Sequence, residues 1–346
     1  MPRPRRDLGG ERSATRGPAP LVDRFGRVHT DLRVSLTDRC NLRCTYCMPA
    51  EGLDWLSRPE VLTDDEVVRL VRVATERLGI TSVRLTGGEP LLRRGLPGLV
   101  ARLSSSGATP ELSMTTNGIG LARTASALRE AGLSRVNVSL DTLRADRFAE
   151  ITRRDRLPDV LDGLRAARDA GLAPVKINAV PVRGVNDDEI LDLTAFAVRN
   201  GYRMRFIESM PLDAHGAWDR DRMVTAAEIL DRLGERYELV PLHARDNAPA
   251  EEWRIAGTAG LVGVIASVTR PFCGGCDRVR LTADGQLRNC LFATEESDLR
   301  ALLRGGADDA ALEAAWRTCL AGKEPGHAIG SADFRRPERP MSAIGG

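Results

Sequence analysis

The chain has 346 residues, enough for one large domain with an extension or for two domains. Hydrophobic residues at 42% and charged residues at 28% are the balance of an ordinary globular protein. A net charge of +2, aromatics at 4% and no apolar run of bilayer length predict neither a nucleic-acid nor a membrane footprint.

Residues 1–20 are rich in Arg, Pro and Gly without apolar periodicity, so a disordered arm is expected over 1–23, with no secretory signal. From residue 30 the pattern becomes alternating strands and helices. Strands are predicted at 32–37, 81–86, 111–115, 135–140, 174–180 and 203–208. Helices are predicted near 63–78, 93–104, 121–131, 158–170 and 186–200, the first opening on a Thr63/Glu66 capping box. Gly79, Gly132, Gly171 and Gly201 each stand just before a strand, where a helix ends in a positive-φ residue. Helix, glycine and strand in repetition argue parallel βα units with right-handed crossovers. Six strands are fewer than the eight of a closed barrel, so the class expected is α/β, a partial (β/α)6 barrel over 24–240. After Met210 the rhythm fades: 225–234 reads as helix, 253–268 as short strands and 295–320 as helix. This C-terminal α+β extension, 241–330, is expected to close the barrel, and an extended, Pro-rich tail, 331–346, ends in Gly345-Gly346.

Six of the seven cysteines fall in two groups of three, a metal pattern rather than a disulfide framework. Cys40, Cys44 and Cys47 follow the first strand as C-x3-C-x2-C. Three thiolates can hold three irons of a cubane and leave the fourth open to a small molecule. Zinc is the alternative, but no His lies within ten residues after Cys47 to close a tetrahedral site. Cys273, Cys276 and Cys290 repeat the situation, with His243 and His327 distant in sequence, although C-x2-C also occurs in zinc ribbons. Thiols of this kind belong in a reducing compartment, which points to the cytoplasm. Cys319 reads as a buried inert thiol.

Thr86-Gly87-Gly88-Glu89-Pro90 follows the second strand, where paired glycines let backbone approach a ligand. Taken alone it is a strand-to-helix turn; beside the first thiol loop it gains weight as the place where the cluster's ligand is held. Arg33, Arg84 and Lys176 each interrupt an apolar strand, and Arg278 and Arg280 alternate past Cys276 in the same way. If the apolar neighbours pack on helices, these cations project into one lumen and suit a polyphosphate. Thr115 and Ser139-Leu140-Asp141 end strands on the face where such folds do chemistry, while Met210 would be unremarkable as core. Tyr46 either packs on an aromatic ligand or braces its loop.

With these motifs placed, the sequence resembles the radical S-adenosylmethionine (SAM) superfamily. Within it, the C-x2-C-x13-C group, Arg278-Val279-Arg280 and the Gly-Gly end resemble the GTP cyclases of molybdenum cofactor biosynthesis. The resemblance spans roughly residues 24–346. It implies two [4Fe-4S] clusters, on Cys40, Cys44 and Cys47 and on Cys273, Cys276 and Cys290. It implies SAM contacts at Tyr46, Gly88, Ser139 and Met210, and GTP contacts at Arg33, Arg84, Thr115, Lys176, Arg278 and Arg280. The Gly345-Gly346 end would reach into the active site. The implied reaction is reductive cleavage of SAM, removal of the 3′-hydrogen of GTP, closure onto guanine C8 and one-electron reduction with protonation of the resulting nitrogen radical, giving 3′,8-cyclo-7,8-dihydro-GTP. Implied partners are a donor such as flavodoxin or ferredoxin, a cyclic pyranopterin synthase that takes the product and, where the chain self-associates, a second copy in a homodimer. A radical SAM enzyme modifying a peptide, with an auxiliary cluster, is the competing reading; it calls for more than three auxiliary cysteines. A zinc protein binding nucleic acid calls for a basic, aromatic surface that the composition lacks.

Overall fold

A computed structural model describes residues 19–106, 110–214, 216–242 and 247–345. Most of the N-terminal arm, His243 and Gly346 therefore lie outside the described residues. A short hairpin, β1 (Leu21–Val22) and β2 (Val28–His29), comes first. Alternation then begins with β3 (Asp31–Ser35), α1 (Asp64–Leu78), β4 (Ser82–Thr86), α2 (Leu96–Ser104), β5 (Glu111–Thr116) and α3 (Leu121–Glu130). It continues with β6 (Arg135–Ser139), α4 (Ala145–Thr152), α5 (Leu157–Asp169), β7 (Lys176–Ala179), α6 (Ile190–Asn200) and β8 (Arg203–Ile207). The C-terminal part contains α7 (Ala226–Gly234), β9 (Leu239–Pro241), β10 (Glu251–Ile255), β11 (Leu261–Ile265), β12 (Arg278–Leu281) and β13 (Gln286–Arg288). It ends with β14 (Ser297–Asp298), α8 (Leu299–Arg304), α9 (Asp309–Ala321) and α10 (Met341–Ile344).

The fold is α/β with a mostly parallel sheet, as expected. Strands β3 to β8 are neighbours in chain order and parallel throughout. Strands from the C-terminal extension flank both edges of this block: β12 pairs parallel with β3, and β11 pairs parallel with β8. Antiparallel β13–β14 and β10–β9 continue outward. Local chemistry accounts for the units. Thr63 and Glu66 form the reciprocal cap of α1, and Thr225 and Glu228 repeat it on α7. Gly79, Gly132, Gly171 and Gly201 take φ of 76°, 106°, 75° and 73°, which an L side chain would resist.

Strand alternation separates two faces. Leu32, Val34, Val83, Leu85, Val136, Val138, Ile177, Met204 and Phe206 are buried against helix residues such as Leu70, Leu99, Leu128 and Leu164. Each such burial is worth roughly 1.5–3 kcal/mol. The other face carries Arg280, Arg33, Arg84 and Ser113 in one register row, with Asn137, Lys176 and Arg203 in a second. Arg84 and Arg205 stand four strands apart yet interact electrostatically, so the sheet curls around its polar face.

Several elements escaped the periodicity, among them β1, β2, β9, β13, β14 and α4, and the tail read as extended turns into the short helix α10 at Met341–Ile344. Leu21 is buried within the stretch read as an arm, because β1 pairs with β2 and packs on α9. Helix α4 has no side-chain N-cap bond and only 8 residues in which to show a pattern; buried Phe148 and Ile151 hold it in place.

Candidate active site

The first thiol loop leaves the end of β3 and is stitched down from two sides. The Arg43 and Thr45 amides donate to the carbonyls of Thr152 and Ile151, at 2.9 Å each, so α4 props the loop. On the other side the Gly88 amide donates to the Thr37 carbonyl at 2.7 Å and the Glu89 amide to the Arg39 carbonyl at 2.8 Å. Glu89 is fully buried and accepts from the Thr116 hydroxyl at 2.7 Å, the Asn117 amide at 2.7 Å and the Leu91 amide at 2.9 Å. Burial raises its carboxyl to about 7 against those three bonds. The Gly87-Gly88-Glu89 turn thus ties the thiol loop to the end of β5.

Cys40, Cys44 and Cys47 line a cavity of about 240 Å³ together with Tyr46, Gly88, Thr115, Ser139 and Met210. All four residues assigned to SAM by resemblance therefore meet the three thiols in one space. Tyr46 donates to Asp141 at 2.6 Å, and Asp141 also accepts from the Val180 amide at 2.8 Å, which fixes the ring's direction. Asp141 was only a strand-end residue in the sequence; its partner lies 95 positions away. Burial first, then Cys47, Asp141 and Cys40, pushes Cys44 well above its usual range, and burial takes Cys47 up to about 12. Such thiols ionise only against added positive charge, so the donor set fits a metal cluster. Among the described residues no three His, Cys, Asp or Glu side chains close around a single point as one ion needs. A cubane, whose ligands attach to separate irons, suits the wider spread.

The second group lies at the other end of the strands. Cys276 stands two residues before β12, whose Arg278 is level with Asp31 at the start of β3, whereas Cys40 follows the end of β3. Five residues of strand put on the order of 15 Å between the two ends. Cys273, Cys276 and Cys290 lie within electrostatic reach of one another. His327, distant in sequence, folds back to this group. Its ring is committed, however, for Nδ1 accepts from the Ile329 amide at 3.1 Å and Nε2 donates to the Ser267 carbonyl at 2.9 Å. Both nitrogens are used, so His327 does not complete a zinc site.

Between the two thiol groups sit the cations. Arg33 and Arg84 share Asp31 at 4.0 Å each, and Arg278 pairs with Asp277 at 3.4 Å. Burial holds Arg84 down to about 9 and Lys176 to about 7, and Arg280 well below its usual range; neighbouring cations add to each shift. Arg205 joins them, buried on β8 with Glu252 at 3.3 Å. It alternates between Met204 and Phe206 just as Arg33 does between Leu32 and Val34, so the same pattern would have found it. The Nε atoms of Arg33 and Arg205 and the Oδ1 atoms of Asn137 and Asn178 are buried without hydrogen-bond partners among the described residues. Six cations against three carboxylates, with spare donors, make a site for a polyanion.

The C-terminal tail crosses this space. Arg280 donates to the Gly345 carbonyl, and Ser342 faces Cys47. Gly345 has φ 91°, and a Cβ there would stand 2.7 Å from the Thr86 hydroxyl and 3.0 Å from the Ser35 Cβ. Gly345 thus lies against Arg280, Thr86 and Ser35.

Comparison with known proteins decides the family. Residues 34–197 match the Radical SAM superfamily model, and 202–329 match Molybdenum Cofactor Synthesis C. A GTP 3′,8-cyclase of Streptomyces coelicolor is 61% identical over 97% of this chain and 99% of that protein. The chain belongs to the GTP 3′,8-cyclase family of radical SAM enzymes. A second member, from Mycolicibacterium smegmatis, is 58% identical over 97% of this chain and 96% of its own length. Among solved structures, Streptococcus suis SuiB bound to S-adenosylmethionine superposes with a TM-score of 0.58 at 13% identity, over 92% of this chain and 78% of that one. anSMEcpe with bound AdoMet gives 0.54 at 14% identity, over 90% and 93%. These two likenesses concern the fold alone.

Proposed function

We propose that this chain converts GTP to 3′,8-cyclo-7,8-dihydro-GTP as the radical SAM step of molybdenum cofactor synthesis. The observation that carries the reading is a cavity holding three thiols beside a buried row of surplus cations. Cys40, Cys44 and Cys47 would hold a [4Fe-4S] cluster that, when reduced and bound to SAM, supplies the radical chemistry. Tyr46, fixed by Asp141, would bear on the cosubstrate together with Gly88, Ser139 and Met210. Arg33, Arg84, Thr115, Lys176, Arg278 and Arg280 would hold GTP, the planar guanidinium groups gripping phosphate oxygens and Lys176 adding a point charge. Their positions on rigid strands orient the nucleotide and keep water from the reacting atoms. Cys273, Cys276 and Cys290 would carry a second [4Fe-4S] cluster at the far end of the nucleotide. Residues 24–240 and 241–330 would then form the radical unit and its closing extension. We further propose a flavodoxin- or ferredoxin-type donor, a cyclic pyranopterin synthase as recipient of the product, and a cytoplasmic setting. No helix of the described residues is long and apolar enough to cross a membrane.

The test is anaerobic reconstitution, an iron count, then GTP, SAM and dithionite, with 5′-deoxyadenosine and the cyclised nucleotide measured together. Arg278→Ala is expected to retain SAM cleavage and to lose GTP cyclisation by about 10²-fold, the scale of one misplaced substrate contact. Equal cyclisation in the variant would remove Arg278 from the GTP site.

Lys176 adds a pH signature. At about 7 in the free protein, it is protonated below that pH and neutral above it. Polyphosphate favours the charged form, so GTP binding above pH 7 takes up a proton, and affinity should weaken by up to about tenfold per pH unit. Calorimetry in buffers of different ionisation heat should show this uptake, and Lys176→Met should abolish it. Uptake that persists in the variant would assign the proton elsewhere.

A further inference from the structure

Lys323 is one of two lysines in a chain with 48 arginines, and it is 2% exposed. It follows α9 and turns into the second thiol group. Its Nζ donates to the Arg278 carbonyl at 2.9 Å and reaches the Cys276 Sγ at 3.7 Å. One neutral carbonyl does not offset burial of an ammonium; a negative partner is needed. The nearby carboxylates are engaged elsewhere. Glu324 points outward to Arg24 at 2.6 Å, Asp23 holds Arg27 at 2.5 Å and His29 at 3.0 Å, and Asp277 takes Arg278 and Thr30. What remains is the Cys276 sulfur, which is negative once it ligates iron. The site is also clamped. Arg27, from the turn between β1 and β2, donates to the carbonyls of Cys273 at 2.7 Å, Pro325 at 3.1 Å and Glu324 at 2.9 Å, so Lys323 and the thiols are held by the same residues.

We propose that Lys323 is a positioning residue that sets the redox balance of the second cluster by donating an N–H to the Cys276 sulfur. The proposal rests on the reading that this triplet binds a [4Fe-4S] cluster. Hydrogen bonds and charge at ligating sulfurs shift a cluster toward its reduced form when they are positive. The first triplet has mixed surroundings: Cys40 receives the Leu42 amide at 3.5 Å and feels Arg43, but Glu89 opposes them there and Asp141 acts on Cys44, and no buried ammonium reaches a sulfur of this group among the described residues. Arg278 and Lys323 both act on Cys276, and Lys323 also on Cys273, so the second cluster is the more easily reduced of the two, and Lys323 is one of the charges that separate them.

The experiment is an EPR-monitored potentiometric titration of the reconstituted full-length protein, with Lys323→Gln and Lys323→Arg beside the parent. Gln keeps a donor for the Arg278 carbonyl but removes the charge. At equal iron content, Lys323→Gln should lower the higher of the two potentials by about 59 mV, a tenfold change in the reduced-to-oxidised ratio for one electron. The lower potential should not move, and Lys323→Arg should restore most of the difference. An unchanged higher potential in Lys323→Gln would leave Lys323 as a brace for the Arg278 carbonyl and overturn the proposal. If Gln fails to hold iron, the Arg variant decides: a parent-like higher potential supports the proposal, and a higher potential lowered by about 59 mV although the charge is kept sinks it. A parent protein with only one cluster per chain would instead refute the reading beneath it.

Discussion

Cys47→Ala is expected to abolish formation of 5′-deoxyadenosine, by roughly 10³-fold or more, while iron content falls by about half. Residues that act as one catalytic unit fail together, so removing a single thiol should cost nearly as much as removing all three. Cys47 sits where the cavity meets the tail, facing Ser342, and its backbone closes the turn by donating to the Cys44 carbonyl at 2.9 Å. Alanine keeps that backbone and the apolar packing while removing the sulfur. The folded chain should therefore keep its second triplet and bind GTP. The check is single-turnover product analysis alongside calorimetric GTP binding. Parent-like 5′-deoxyadenosine from Cys47→Ala would take the radical source away from this loop.

Gly88→Ala should damage the same site without touching a thiol. A Cβ at this position would stand 2.4 Å from the carbonyl oxygens of both Asp38 and Arg39 and 2.6 Å from the Arg39 carbonyl carbon. These are backbone atoms immediately before Cys40, and they cannot rotate aside. Overpacking of this kind costs roughly 1–3 kcal/mol. Separating the segments would also break the Gly88–Thr37 and Glu89–Arg39 bonds, at about 1 kcal/mol each. Thermal unfolding should drop by several degrees, and iron should be lost from the first triplet before the second. Gly98→Ala is the control. Gly98 lies in α2 with nothing within 4 Å of an added Cβ, so alanine there should be neutral or stabilising by up to about 1 kcal/mol. If Gly88→Ala melted like Gly98→Ala and loaded iron normally, the close approach would have no role in holding the loop.

Much of the site was legible because it is written in short-range pattern. The two thiol triplets, the paired glycines and the cations interrupting apolar strands are spacings of a few residues, and periodicity translates them directly into faces and ends of strands. The six strands and five of the helices between them follow from the same local rules. Arg205 obeys that pattern too and lay within reach of it. Helix α4 did not, since in 8 residues its large apolar side chains are only Phe148 and Ile151. His327 misleads in the other direction: its distance in sequence conceals that it folds against the second thiols, where both ring nitrogens are already taken.

By itself, then, the order of residues determined which elements form, which side of each strand is charged and which cysteines stand together, because each depends on neighbours within one or two turns of chain. Only the tertiary structure decided what those groups touch. Tyr46 reaches Asp141 across 95 residues, Lys323 reaches Cys276 across 47, and Arg280 takes the carbonyl of Gly345 across 65. Strands β11 and β12 flank opposite edges of one parallel block although 12 residues separate them in sequence, from Ile265 to Arg278. Such pairings come from closing long loops at little extra entropic cost and from the need of each buried polar group for a partner, and neither leaves a mark on local spacing.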